Sequence, residues 1–362
     1  MTIESDRWTL AGWWSKEGPD VRCSLCPHRC LIRTDTYGRC GVRTARDGRL
    51  WTVNYGQVCV SQCDAIEKKP IFHFQPGARI YSAGTFGCNL DCAYCQNSML
   101  SHPSQGVPCR NVPPEDLVKE ASDRGATGLA FTFNEPIVWA EYILDVAQVA
   151  HRSGLFVALN TNGYILGRAA EDLLRNVDVV KVDIKGFDDD VYSGTCGGSL
   201  KPVLELCAQV RRSGKHLELS YLMIPGITDG LDMVARFGTW AMGELGPDVP
   251  IHLYRFQPSA RMTDRGPEPI SRMLEARDLV MGLGVRYVYL GGETEGRFRN
   301  TLCPSCSSEV ISRSMEESEP GYVLGERVSR FCPSFSKIEN RLIGTSCPRC
   351  GEKIAISYWP HH

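Results

Sequence analysis

The chain has no long apolar run and no excess of charge of either sign, and each absence removes a class of function. No stretch approaches the ~20 apolar residues of a membrane-crossing helix, so no membrane span is expected. The 40 Lys and Arg stand against 42 Asp and Glu, for a net charge of −2, and the signs are interspersed. Nothing supplies the basic face that a nucleic acid or an anionic membrane surface would select. The opening "MTIESDRWTLAGWW" lacks the basic-then-apolar layout of a secretory leader, which points to the cytoplasm. With 362 residues, 43% apolar and 23% charged, the chain can bury one large core and carry one or two small satellites.

Cysteine, in contrast, is plentiful: there are 17. A cytoplasmic protein keeps its thiols reduced, so such a number predicts metal binding rather than disulfides. The cysteines are also clustered. Cys23, Cys26, Cys30 and Cys40 lie in "CSLCPHRCLIRTDTYGRC", Cys59 and Cys63 follow, Cys88, Cys92 and Cys95 fall in "GTFGCNLDCAYCQN", and Cys303, Cys306, Cys347 and Cys350 form two Cys-x2-Cys pairs. Three metal centres are implied. The last two pairs, separated by a β-like stretch and followed by Gly351, predict a zinc ribbon. The first quartet, with His28 as a further ligand candidate, is spaced more widely than a ferredoxin run; zinc, the preferred reading, and an auxiliary iron–sulfur cluster both stay open. The middle three have no fourth cysteine nearby. A 4Fe-4S cluster held by three thiolates leaves one iron free to bind something else.

Between these clusters the chain keeps a regular rhythm. Seven β-rich runs, "RIYSAG", "TGLAFTF", "FVALNT", "VDVVKVDIK", "KHLELSYLM", "VPIHLYRF" and "VRYVYLGG", are separated by stretches of helical periodicity. Alternation of this kind predicts parallel strands joined by right-handed crossovers into a full or partial barrel, with the active site at the carboxyl ends of the strands. An antiparallel sheet with one solvated face is the alternative, and the intervening helices argue against it. Cys88, Cys92 and Cys95 follow the first of these strands directly. On the strands, Lys181, Asp183 and Lys185 share one face, as do His216, Glu218 and Ser220, and His252 and Tyr254; pointed inward, they predict a wet cavity for a polar ligand. Cys207 lies on an apolar helix face and reads as core. Cys196, in the loop after the fourth strand, is either a hydrogen-atom donor or an ordinary loop thiol.

The C-x3-C-x2-C loop after a first barrel strand resembles the signature of the radical S-adenosylmethionine (SAM) superfamily. The resemblance implies a partial (β/α)6-type barrel, a 4Fe-4S cluster on Cys88, Cys92 and Cys95, and SAM chelated to the free iron. It also implies reductive cleavage of SAM, normally to a 5′-deoxyadenosyl radical, with an electron donor such as flavodoxin or ferredoxin. Tyr94 corresponds to the aromatic beside the adenine. "FTFNEP" resembles the segment whose acid, here Glu135 beside Asn134, receives the SAM ammonium, and "LNTNGY" the turn that places Thr161 and Asn162 near the ribose or carboxylate. "VDIKG" resembles the Asp-x-Lys-Gly segment of pyruvate formate-lyase activases, which makes Asp183 and Lys185 cofactor or substrate contacts, and "LMIPGITD" their adenine-side turn at Ile224.

Over nearly the whole chain, "CSLCPHRC", "DAIEKKPIFHFQPG", "LKPVLE", "YRFQPSARMTD" and "YVYLGG" look like the radical enzyme of the AmmeMemoRadiSam system, which implies Memo-type and AMMECR-type proteins as partners. Ala65 and Ser98 depart from that pattern, where Pro and Trp are usual, as does the closing "SYWPHH". The expected organisation is a Cys-rich module at 1–77, with strand material from Trp51 to Val60, a radical SAM barrel at 78–296 and the ribbon at 297–362. The expected function is an enzyme that modifies a polar small-molecule or protein substrate. The alternatives are a glycyl-radical activase, transfer of a 3-amino-3-carboxypropyl group, and a metal-bound scaffold without catalysis.

Overall fold

The structure, a computed structural model, describes residues 8–103, 106–292, 294–316, 322–323, 326–327 and 334–359. The first seven residues of the stretch read for a leader and the last three of "SYWPHH" lie outside the described residues. The seven β-rich runs all form strands of one sheet: β2 (Arg79–Gly84), β3 (Gly128–Phe131), β4 (Phe156–Thr161), β5 (Val179–Ile184), β6 (His216–Met223), β7 (Ile251–Arg255) and β8 (Val288–Gly291). They pair in parallel in chain order from β2 to β8. An eighth strand, β1 (Val60–Ala65), adds antiparallel to β2 at the edge. That strand comes from the N-terminal side of the boundary expected at 77, and Gln57–Val58 pairs with Arg110–Asn111, so only the first part of the Trp51 to Val60 stretch serves the small module.

Each strand is built as its alternation dictates. On β5, Val180, Val182 and Ile184 are buried under the crossover helices, and burial of each such side chain contributes about 1.5–3 kcal/mol. The helix Lys201–Arg212, with Pro202 in its first turn, turns Val203, Leu206, Cys207 and Val210 inward at helical spacing, and Cys207 is core as expected.

The inward polar face divides into two levels. At the lower level, Glu218 of β6 is wholly buried and accepts hydrogen bonds from the backbone N–H of Phe72 (2.8 Å) and His73 (2.7 Å), from His216 Nε2 (3.0 Å) and from His252 Nε2 (2.6 Å). His73 Nε2 meets the Tyr289 hydroxyl at 2.6 Å, which meets Thr301 Oγ1 at 2.8 Å. Arg313, from the strand Glu309–Glu316, reaches Thr301 Oγ1 and the Phe72 carbonyl, both at 2.8 Å, and lies 3.6 Å from Glu67. This network ties the segment from Glu67 to His73 and the C-terminal module to the bottom of the barrel. The expected wet interior is therefore corrected in part: Glu218, His216, His252, His73 and Arg313 pair with one another and with neighbouring backbone, as burial requires, while Lys181, Asp183, Ser220 and Tyr254 line a cavity.

Candidate active site

The triad loop leaves β2 at Gly84 and is held on several sides. Asn134 accepts from the Thr85 N–H (3.0 Å) and donates to the Gly87 carbonyl (2.9 Å). Asp91 N–H donates to the Cys196 carbonyl (2.8 Å) and Ala93 N–H to the Thr195 carbonyl (2.9 Å). Gly87, at φ +92°, has no room for a side chain, because an added Cβ would stand 2.7 Å from the Cys40 carbonyl and 2.5 Å from a Val42 methyl. Next to it, His28 meets the Asn89 carbonyl at 2.7 Å, so His28 is engaged on the triad loop. The Cys-rich module thus packs directly against the loop that carries the triad.

Cys88, Cys92 and Cys95 open onto a cavity of about 610 Å³ at the carboxyl ends of the strands, within the size range of small-molecule sites. Tyr94, Asn134, Glu135, Asn162, Asp183 and Lys185 line it as well. Burial pushes the Cys88 thiol well up, and Cys92 is raised by its contact with Cys196 and by burial. Thiolates in such a place need a cation, and a metal cluster supplies one; the donor set fits the three-thiolate site.

Glu135 is the second fixed point. Its Oε1 accepts from Thr161 Oγ1 (2.6 Å) and the Ile137 N–H (3.0 Å), and its Oε2 accepts from the Asn162 N–H (2.8 Å). Burial still lifts it to about 7 against these donors. A carboxylate offers about four lone-pair positions, so one is left for a donor in the cavity. Asn162 also donates to Asn89 Oδ1 (2.9 Å) and accepts from the Tyr164 N–H (2.8 Å), which braces the triad loop. Asp183 lies between the ammonium groups of Lys181 and Lys185. Burial would raise its carboxyl, but the two lysines outweigh burial and hold it ionised.

Three residues expected at the site are absent from the described cavity wall. Thr161 stands behind Glu135 and holds it. Cys196 is wholly buried, 3.3 Å from the Tyr94 hydroxyl, with no face toward a substrate. Ile224 is wholly buried in its turn, where its N–H meets Thr228 Oγ1 at 2.8 Å. The sequence reading turned Lys181, Ser220 and Tyr254 toward a ligand cavity and passed over Lys68, Lys69 and Asn160; all six line the cavity. "EKKP" and the alternation of β5 and β6 were the available signals.

The two outer cysteine clusters differ. Cys303, Cys306, Cys347 and Cys350 bring their sulfurs within 4.8 Å of one another, with Cys303 to Cys350 at 3.5 Å and Cys306 to Cys347 at 3.7 Å. A tetrahedron with 2.3 Å metal–sulfur bonds has edges of ~3.8 Å, so this group has the size of a single-ion site. Among the described residues it is the only such group; no three sulfurs of Cys23, Cys26, Cys30 and Cys40 approach one another so closely. Burial pushes Cys26 up to about 12 and Cys40 up to about 11. Cys59 departs from the expectation of reduced thiols, for it forms a disulfide with Cys109.

Comparison with known proteins agrees with this geometry. The Radical SAM superfamily profile matches residues 83–238. An uncharacterized protein of Methanocaldococcus jannaschii is 36% identical over 338 residues, 93% of this chain and 95% of its own. The pyruvate formate-lyase-activating enzyme of Clostridium pasteurianum is 26% identical over 156 residues, 41% of this chain and 64% of its own, and the pyruvate formate-lyase 1-activating enzyme of Escherichia coli K12 is 26% identical over 160 residues, 42% and 64%. The chain thus spans less than two thirds of these activases. The crystal structure of a radical SAM methyltransferase from Sphaerobacter thermophilus, 17% identical, superposes with a TM-score of 0.50 over 69% of this chain and 75% of its own, a likeness of fold. No described helix is long and apolar enough to cross a membrane. Residues 83–238 form a radical SAM domain, and the chain is an enzyme with homology to the pyruvate formate-lyase-activating enzymes.

Proposed function

We propose that the protein cleaves SAM reductively at a 4Fe-4S cluster held by Cys88, Cys92 and Cys95, and uses the resulting radical to modify a small polar substrate in the same cavity. The observation that carries this reading is the convergence on one cavity of three half-buried thiols, a carboxylate with one position left open and a lysine–aspartate–lysine group. Bound together, cluster and SAM would supply a carbon-centred radical able to take hydrogen from an unactivated position. The chain's part is to hold and shield. Glu135 receives the SAM ammonium, Tyr94 packs beside the adenine, and Asp183 and Lys185 orient the cofactor or the substrate.

Anaerobic reconstitution with iron and sulfide, addition of SAM and dithionite, and mass spectrometry of the products test the proposal. 5′-Deoxyadenosine is expected. Cluster-dependent methylthioadenosine would instead indicate alkyl transfer, and neither product from a fully loaded protein would leave the scaffold reading. Glu135→Gln is expected to weaken SAM binding about 10–100-fold, because it removes a charged acceptor that the Thr161 and Asn162 donors have fixed in place, and equilibrium binding of labelled SAM measures it.

The C-terminal cysteines are assigned to zinc. Removing the ion with a chelator, or substituting Cys347→Ser, is expected to release one metal per chain and to lower the thermal midpoint, since the ribbon is bound to the barrel through Arg313. Loss of metal without any change in melting would refute a structural role. Cys23, Cys26, Cys30 and Cys40 are assigned to zinc, with an auxiliary cluster as the alternative; the contact of this module with the triad loop would suit a relay from flavodoxin or ferredoxin in the second case. Memo-type and AMMECR-type proteins are the proposed partners. Activation of a glycyl-radical protein is the second reading, supported by the homology of the central domain.

A further inference from the structure

The cavity extends below the residues assigned to SAM, and of the groups lining its lower part only Lys181, which with Lys185 holds Asp183 ionised, has a task in the reading above. The triad, Glu135 and Lys185 lie at the carboxyl ends of the strands. Lys181 lies two residues earlier on β5 than Asp183, ~6.6 Å deeper along the strand. Its neighbour across the β4–β5 ladder is Asn160, and on β6 Ser220 is paired with Asp183. All three line the cavity. Lys181 is 3% exposed and Ser220 5%. The Ser220 hydroxyl and the Asn160 side-chain oxygen are buried with no hydrogen-bond partner. Two unfilled polar atoms on one cavity wall call for a ligand that bonds to them.

The charge around them fixes the sign of that ligand. One carboxylate, Asp183, is shared between the ammonium groups of Lys181 and Lys185. A second carboxylate, Asp64, is shared in the same way, 3.0 Å from Lys68 Nζ and 4.0 Å from Lys69 Nζ, and both of these lysines line the cavity. Each group of two lysines and one aspartate carries a net positive charge. Glu135 keeps its open position for the cofactor, and Glu218, opposite Lys181 on β6, is spent on four donors of its own. The Tyr254 ring, 5.9 Å from Lys181 Nζ, closes the side.

We propose that Lys181, Ser220 and Asn160 form a substrate subsite for a small anion, a carboxylate or phosphate carrying a neighbouring hydroxyl or amine. The anionic group meets Lys181 and the Ser220 hydroxyl, and the donor beside it fills Asn160. This assignment rests on the radical SAM reading and narrows it: a polypeptide glycine carries no charge and leaves this pocket unanswered, whereas a small acid answers each of its groups.

The test uses the full chain, reconstituted anaerobically. SAM is added first, and a change in the electron paramagnetic resonance spectrum of the reduced cluster reports its binding. Glycolate, inorganic phosphate and the neutral glycolamide are then titrated into the SAM complex by calorimetry, in the wild type and in Lys181→Met, Lys181→Arg and Ser220→Ala. Glycolate or phosphate is expected to bind at least about tenfold more tightly than glycolamide, and whichever binds identifies the anionic group. Lys181→Met is expected to weaken the anion about 10–100-fold, Ser220→Ala severalfold and Lys181→Arg least, with the SAM-induced spectrum unchanged in Ser220→Ala and Lys181→Arg.

Equal binding of acid and amide overturns the proposal. So does anion binding that survives in Lys181→Met, or a SAM complex that takes up neither anion. If Lys181→Met does not fold, Ser220→Ala and Lys181→Arg carry the same comparison. A loaded cluster whose spectrum does not respond to SAM would overturn the radical reading itself, a result distinguishable from loss of the subsite.

Discussion

Replacing Cys92 with alanine is expected to remove the cluster and with it all SAM cleavage. Cys92 lies in the middle of the triad loop, whose neighbours Asp91 and Ala93 are held by backbone bonds to Cys196 and Thr195, so no other residue of the loop can swing into its place. Cys196 is in contact with Cys92, and it is wholly buried against Tyr94. Iron and sulfide content, the visible absorbance of the cluster and 5′-deoxyadenosine yield should fall together to background. The C-terminal metal should stay, because its four sulfurs form a separate group. A Cys92→Ala protein with an intact cluster and SAM cleavage would mean that the triad is not the ligand set.

The largest effect on stability is expected from Glu218→Ala. The carboxylate is 0% exposed and accepts from two backbone N–H groups and two imidazoles. Removing it leaves four buried donors without an acceptor, and loss of one partner from a buried charged network costs about 3–5 kcal/mol. Chemical denaturation of the anaerobic protein measures this, and a loss below about 1 kcal/mol would show that water replaces the carboxylate.

The same network sets an acid limit. Burial would raise Glu218, but the bonds from His216 and His252 outweigh burial and hold it well below the usual range. Its contribution is therefore complete above the unfolded carboxyl value of ~4.3 and is lost as pH falls through the lower folded value. Burial holds His73 down to about 3. Between ~6.5 and that value the unfolded chain takes up a proton that the folded one refuses, so stability declines as pH falls from ~6.5 toward 3. Both groups act in the same direction. The denaturation midpoint should drop from pH 7.5 to pH 5, and His73→Gln should reduce that drop.

Much of the architecture follows from neighbours in sequence. The alternation of "VVKVDIK" shows which side of β5 meets helices, because adjacent residues of a strand must face opposite ways. The triad could be singled out because a C-x3-C-x2-C loop places three thiols within eight residues, whatever the rest of the chain does. The C-terminal cysteines were legible for the same reason, two Cys-x2-Cys turns each supplying half a tetrahedron. Glu135 could be picked out only by resemblance, since nothing in "FNEP" shows that Thr161, 26 residues on, will point at it.

The tertiary structure decided what depends on partners far along the chain. Glu218 read as an inward polar residue, correctly, but its burial depends on Phe72 and His73, about 145 residues earlier. Asp183 and Glu218 share a face of the sheet, and one opens on the cavity while the other is sealed. Cys59 finds Cys109 at a sequence separation of 50, a pairing that no spacing rule supplies. By itself the sequence determined the strands, the helices and the thiol clusters, because these arise from local periodicity and short loops. Whether a polar residue is solvated, paired or waiting for a ligand was decided by the fold, because that depends on which distant segment closes over it.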